Sequence, residues 1–140
     1  PPSRIAPGQT EAEVLARLGP PAARHARADG LARLEYTRAP QGRHTWMVDL
    51  DAQGRVAAVT QVLDERVFNR ILAGTPRAQL LAELGTPSAR KPGGWPGGQL
   101  WAWRYDGPFC LWFMASVTDD GTVRDTGYGP DPACEDLTTP

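Results

Sequence analysis

Apolar residues along the chain keep two rhythms. Val14, Leu15 and Leu18 fall at helical spacing, and Leu80, Leu81 and Leu84 repeat the pattern. Each trio makes one apolar helix face. Thr10 stands before the first trio with Glu13 three residues on, which predicts a capping box that satisfies two orphan backbone donors. Thr75 takes the same place before the second trio, with Pro76 at the first helical position, where a missing N–H costs nothing. Gly19 and Gly85 then supply a left-handed stop, with Pro21 and Pro87 just beyond. Helices this short do not persist alone in water and must dock on something.

Between and after the helices the rhythm changes to alternation. Leu34 and Tyr36 share one side of a strand, and His44, Trp46, Val48 and Leu50 share a side of the next. "DAQG" is a hairpin turn signal, and "RVAAVTQVL" reads as a third strand. The second half reads alike: Trp101, Trp103 and Tyr105, then Leu111, Phe113, Ala115 and Val117, the turn "DDG", and "TVRDTGY". "DERVFNR", Asp64 to Arg70, predicts a helical turn joining the halves.

The halves are copies. A shift of 66 positions sets Ile5 on Ile71, Gly8 on Gly74, Leu18 on Leu84, Gly19 on Gly85 and Pro21 on Pro87. After a small insertion, "LARLEY" falls on "LWAWRY" and "WMVDLDAQGRV" on "FMASVTDDGTV". Three similar segments in one order argue for an internal repeat. The expected fold is α+β, with two tandem units over residues 1–66 and 67–140, each a helix followed by a three-stranded antiparallel sheet.

Composition narrows the class. A net charge of −1 implies no bulk attraction to nucleic acid. No apolar run approaches the roughly 20 residues of a membrane span. The opening "PPSR" reads as the start of a mature or trimmed chain, with a leader or lipid-bearing Cys upstream as an expectation. Cys110 and Cys134 are too far apart for a redox Cys-x-x-Cys pair, and no His or second Cys pair lies near them for zinc. A structural disulfide and two unrelated buried thiols remain as readings. A disulfide would place the chain in an oxidising compartment.

Candidate chemistry points to binding, not catalysis. His25, in the polar "ARHARADG" segment, and His44 are isolated, which suits surface residues. Asp49, Asp51, Asp119 and Asp120 flank hairpin turns, where Asp is favoured for turn chemistry. "DLDAQG" lacks the spacing and terminal Glu of a calcium loop. No nucleophile elbow or phosphate loop is present. No catalytic residue, metal or cofactor is expected. Strand alternation sends Thr45, Met47, Asp49, Cys110, Trp112 and Met114 to the side away from the helices. Met and Trp there make an adaptable contact surface unless the tail or the neighbouring copy covers them. "KPGGWPGGQ", Lys91 to Gln99, surrounds Trp95 with four glycines and two prolines. It reads as a tip that anchors a partner or folds back over the sheet edge. The expected partner-binding residues are therefore Trp95, Trp112, Met114, Met47 and Arg43, with Arg38 and Arg104 on the rim. Trp46, Trp101 and Trp103 are expected in the core.

"GQTEAEVLARLGPP", "LEY" and "DAQGRV" in the first copy, and "GTPRAQLLAELGTP", "WRY" and "DDGTV" in the second, resemble the SmpA/OmlA (BamE-like) family of small outer-membrane lipoproteins. In tandem the units are similar to the β-lactamase-inhibitor-protein architecture, in which two helix-plus-sheet repeats build one concave surface. The resemblance covers most of the chain. It implies a non-enzymatic envelope protein, periplasmic and attached to the outer membrane by an N-terminal lipid, which binds a protein partner in outer-membrane assembly or maintenance. The alternative is a periplasmic or secreted inhibitor or carrier that takes an enzyme or small ligand on the concave face. An envelope setting fits a Cys110–Cys134 bridge pinning the tail to the second sheet.

Overall fold

The computed structural model describes residues 4–94 and 97–134. Two four-stranded antiparallel sheets carry the chain, in the orders β1-β2-β3-β4 and β5-β6-β7-β8. The first comprises β1 (Ala23–Ala26), β2 (Ala32–Thr37), β3 (Thr45–Leu50) and β4 (Val56–Gln61). The second comprises β5 (Ala89–Pro92), β6 (Gln99–Arg104), β7 (Leu111–Val117) and β8 (Val123–Pro130). The helices are α1 (Glu11–Leu18), α2 (Glu65–Phe68) and α3 (Arg77–Leu84), and a 3-10 turn spans Pro132–Cys134.

Each sheet therefore has one strand more than the expected three. β1 and β5 follow their helices directly, in segments too short and polar to show alternation. They form because β2 and β6 offer a free edge: Ala23 to Ala26 pair with Glu35 to Ala32, and Ala89 to Pro92 with Ala102 to Gln99. His25 thus lies on a strand, not in a loop.

The two copies repeat down to single hydrogen bonds. Gly8 N donates to Val56 O and Gly74 N to Val123 O. Tyr36 Oη donates to Gly19 O, and Trp103 Nε1 to Gly85 O. Tyr36 therefore takes the place of Trp103, not of Tyr105, which moves the "LARLEY" alignment by two residues. On the same register Trp46 matches Phe113, Arg38 matches Tyr105 and Gln61 matches Tyr128, since Trp46 opposes Gln61 as Phe113 opposes Tyr128.

Capping differs between the copies. Thr10 accepts from Glu13 N, and Glu13 reaches back to Thr10 N, as the capping box requires. At α3 the N-cap is Pro76 with no side-chain bond, and the Thr75 hydroxyl donates to Leu72 O instead. Gly19 and Gly85 both have positive φ, but with extended ψ of −170° and −164° rather than the left-handed helical value.

Cores form on the helix-bearing face of each sheet. Val14 joins Leu34, Val48, Leu50 and Val56 in the first. Leu80, Leu84, Trp101, Trp103, Phe113, Ala115, Val117 and Val123 make the second, completed by Val67 and Phe68 of α2. Leu15 is 38% exposed, whereas its counterpart Leu81 packs against the core. The reason is position: α3 lies between the two sheets, and α1 covers one sheet only.

The seam is polar and buried. Glu35, 1% exposed, accepts from Thr86 N and Thr86 Oγ1 at 2.9 and 2.7 Å, and its other oxygen lies 2.8 Å from His25 Nε2. Arg33 donates twice to Asp49, at 2.6 and 3.0 Å, and a third time to Ala82 O. Such charged groups are tolerated inside because each finds fixed partners. A β-carbon at Gly85 would stand 2.9 Å from Glu35 Cδ and from Thr45 Cγ2, while one at Gly19 meets nothing within 4 Å. Both positions resist a side chain through their backbone angles. Gly85→Ala should nevertheless lower stability by about 1–3 kcal/mol more than Gly19→Ala, because only it pushes into a closed seam. Urea unfolding of the two variants measures the difference.

Candidate functional site

The expected site residues fall in three places. Met47 is fully buried and belongs to the second unit's core cluster, which removes it from any partner surface. The face away from α1 is an outer face of the first unit alone, and in the whole chain α3 and Thr86 close it. Thr45 and Asp49 are sealed there too. Trp95 lies outside the described residues.

Trp112 and Met114 stand on the corresponding face of the second sheet. Among the described residues no helix packs on that face, since the core clusters all lie on the other side or at the seam. Trp112 is nonetheless 5% exposed. Lys91 Nζ and Arg104 Cζ sit 5.1 and 5.4 Å from its ring centroid, and these cations shield it. What remains half-buried is a strip of Leu100, Met114 and Ser116. It is flat because β8 presents glycine there: a β-carbon on Gly129 would stand 2.7 Å from Met114 Cε, and Gly127 faces open space. Strand β7 pairs Met114 with Gly127 and Trp112 with Gly129.

Arg43 and Arg104 converge on Asp131, 1% exposed, beside the tail. Arg104 Nε donates to Asp131 Oδ1 at 3.1 Å, and Arg43 Nη2 lies 3.9 Å from Oδ2. Arg104 also donates to Pro40 O of the first unit at 2.7 Å. Both arginines are therefore structural ties between the copies rather than a free rim. Cys110 and Cys134 form a disulfide with Cα atoms 6.4 Å apart, and Arg43 Nη2 lies 3.5 Å from Cys134 Sγ. Asp131 N donates to Cys110 O, so the bridge and the backbone together hold the 3-10 turn beside the start of β7. Closing a loop of this length stabilises a fold by about 3 kcal/mol on the chain-entropy model.

A concave feature lies on the α1 side of the first sheet. Arg17, Leu18, Pro20, Pro21, Ala22, Tyr36, Thr37, Arg38 and Trp46 line a cleft of ≈ 450 Å³. Trp46, expected in the core, is only half-buried. Burial raises the Tyr36 phenol above its ordinary pKa, and the charge of Glu11 adds to it. Sequence reasoning missed this cleft, because its aromatics repeat core positions of the second unit.

Neither histidine assembles a catalytic set. His25 serves the Glu35 cluster, and His44 Nε2 lies 2.8 Å from Asp106 Oδ2 at the surface. Among the described residues neither ring shares a hydrogen bond with a Ser, Thr or Cys. No helix among the described residues is long and apolar enough to cross a membrane.

No protein-family model matches the chain. No curated protein matches it. Among solved structures, the chain is similar to a cysteine-rich secretory protein from Staphylococcus aureus at 9% identity and a TM-score of 0.31, over 94% of this chain and 45% of that one. This chain thus spans less than half the length of that protein, and a likeness at that score shows neither fold nor function.

Proposed function

We propose that the chain is a non-catalytic binding module of the bacterial cell envelope, of the SmpA/OmlA kind, which docks a protein partner on the outer face of its second sheet. One observation carries the reading. The two sheets have matching outer faces; the first is occupied by helix α3, and the second bears Leu100, Met114 and Ser116 with no helix on it among the described residues. A sheet of this build takes a helix on that face within the chain, so the open copy suits a helix from another protein. Its strip of Leu100 and Met114, with Ser116 and Lys91 beside it, has the anatomy of an interface centre with a polar margin. The Cys110–Cys134 bridge fits an oxidising setting such as the periplasm. Attachment through an upstream lipid and a role in outer-membrane assembly or maintenance belong to the same proposal and rest on the family resemblance.

A photo-crosslinking residue at Met114, expressed in envelope-bearing cells, should give one defined adduct. The same residue at Ala12, exposed on α1, should give none. Met114→Glu should weaken recovery of that partner by about tenfold or more, as for a central interface residue. Equal adducts at both positions, or none at Met114, would defeat the reading.

A further inference from the structure

The cleft of the first unit has a counterpart in the second that is full. Leu18, Tyr36, Arg38 and Trp46 match Leu84, Trp103, Tyr105 and Phe113, all members of one core cluster with Phe68. Phe68 stacks on Phe113 with centroids 4.5 Å apart and meets Tyr105 edge-on at 5.0 Å. The turn that presents it also brings Glu65, whose Oε1 accepts from Tyr105 Oη at 2.8 Å. Burial raises the Tyr105 phenol far above its ordinary pKa, and the Glu65 contact raises it further, so this phenol stays a donor. In the second unit, then, the space is filled by an aromatic ring with a carboxylate three residues before it.

At the 66-residue offset the first unit has Pro1 and Pro2 where the second has Val67 and Phe68. That position carries no aromatic residue in the first unit. The receiving group changes: Arg38 stands for Tyr105, and Arg17 lines the cleft with it. Among the described residues neither Arg17 nor Arg38 has an ion pair, whereas Arg24, Arg27, Arg33 and Arg104 do. A neutral donor has become a cation, and Arg17 adds a second cation to the lining.

We infer that this cleft binds a short polypeptide segment of a partner protein, presenting an aromatic side chain onto Trp46 and a carboxylate one helical turn earlier to Arg38 and Arg17. The recognition is that of a helical turn docking through one anchor, with stacking on Trp46 for energy and two cations for orientation. It is a site separate from the outer face of the second sheet and stands without it.

The test uses the whole chain and a capped heptapeptide of the α2 sequence, DERVFNR, followed by NMR at the indole N–H of Trp46. The expected result is a saturable shift of the Trp46 signal, with the Trp103 signal unmoved. Alanine in place of the peptide's phenylalanine should abolish it. Arg38→Glu, at an exposed position that leaves folding intact, should weaken binding about tenfold, the scale of turning an attractive charge contact repulsive. A peptide with lysine in place of its glutamate should regain affinity for that variant. Shifts that do not saturate, that survive the loss of the phenylalanine, or that centre on Met114 would overturn the inference. So would a Trp46 signal insensitive to every peptide, since another segment of the chain would then hold the cleft. Met114→Glu leaves Trp46 untouched, so the two docking proposals fail separately.

Discussion

Phe68→Ala should destabilise the protein by about 3–5 kcal/mol, the usual loss for a fully buried aromatic ring. Phe68 is 0% exposed and meets three rings, Phe113, Tyr105 and Tyr128. Its removal takes away the apolar area and leaves a cavity that the strands on one side and α3 on the other cannot close. The melting temperature should fall by roughly 10–15 °C for a domain of this size. The contrast with the first unit sharpens the expectation. Trp46→Ala, at the position matching Phe113, should lose only about 1–2 kcal/mol, because the ring is half-exposed. Phe109→Ala, at a turn residue 79% exposed, should change stability by less than about 0.5 kcal/mol. Urea unfolding with a check for unchanged slope orders the three. A Trp46→Ala loss as large as that of Phe68→Ala would show that the first unit is as tightly filled as the second.

Much of this architecture was legible as sequence because the signals were periodic. Helical spacing located α1 and α3, alternation found the last three strands of each unit, and Thr10, Gly19 and Gly85 marked helix ends. The missed strands, β1 and β5, are four residues each and mostly polar. Nothing local distinguishes them from loop; they exist because the hairpin edge beside them has free backbone groups. The outer-face prediction separated for a similar reason. Met47 and Met114 occupy matching positions with the same alternation, and only the stacking of α3 onto the first sheet buries one and leaves the other half-exposed. That stacking is written in single residues such as Glu35, Arg33 and Gly85, which read as an ordinary surface pattern of charges and a helix stop until the partner surface is present. The cleft was hidden in the opposite way. Its signal is a difference between copies, Pro1–Pro2 against Val67–Phe68, within a repeat that is otherwise marked by what the copies share.

Glu35→Ala should lower stability by about 2–4 kcal/mol and loosen the seam. The carboxylate is 1% exposed and holds Thr86 by two donors while facing His25. Alanine removes the buried acceptor and leaves the Thr86 N–H, the Thr86 hydroxyl and the His25 imidazole without it, a loss of three contacts to a charged group. Glu35→Gln keeps the shape and one good acceptor, so it should lose less, about 1–2 kcal/mol. The charge pair Arg33–Asp49 and the Ala82 carbonyl remain, so α3 should stay docked in both variants. A double-mutant cycle isolates the contact. Thr86→Val removes the hydroxyl donor, and its loss combined with Glu35→Ala should fall short of the sum by about 1 kcal/mol or more, as for groups in direct contact. Simple additivity would mean that the seam is held by packing of Met47, Gly85 and the Arg33 cluster, with Glu35 a passenger. Amide exchange gives the matching kinetic view: protection at Thr86 should drop to a local-opening level in Glu35→Ala, while Leu80, deep in the second core, should track global unfolding.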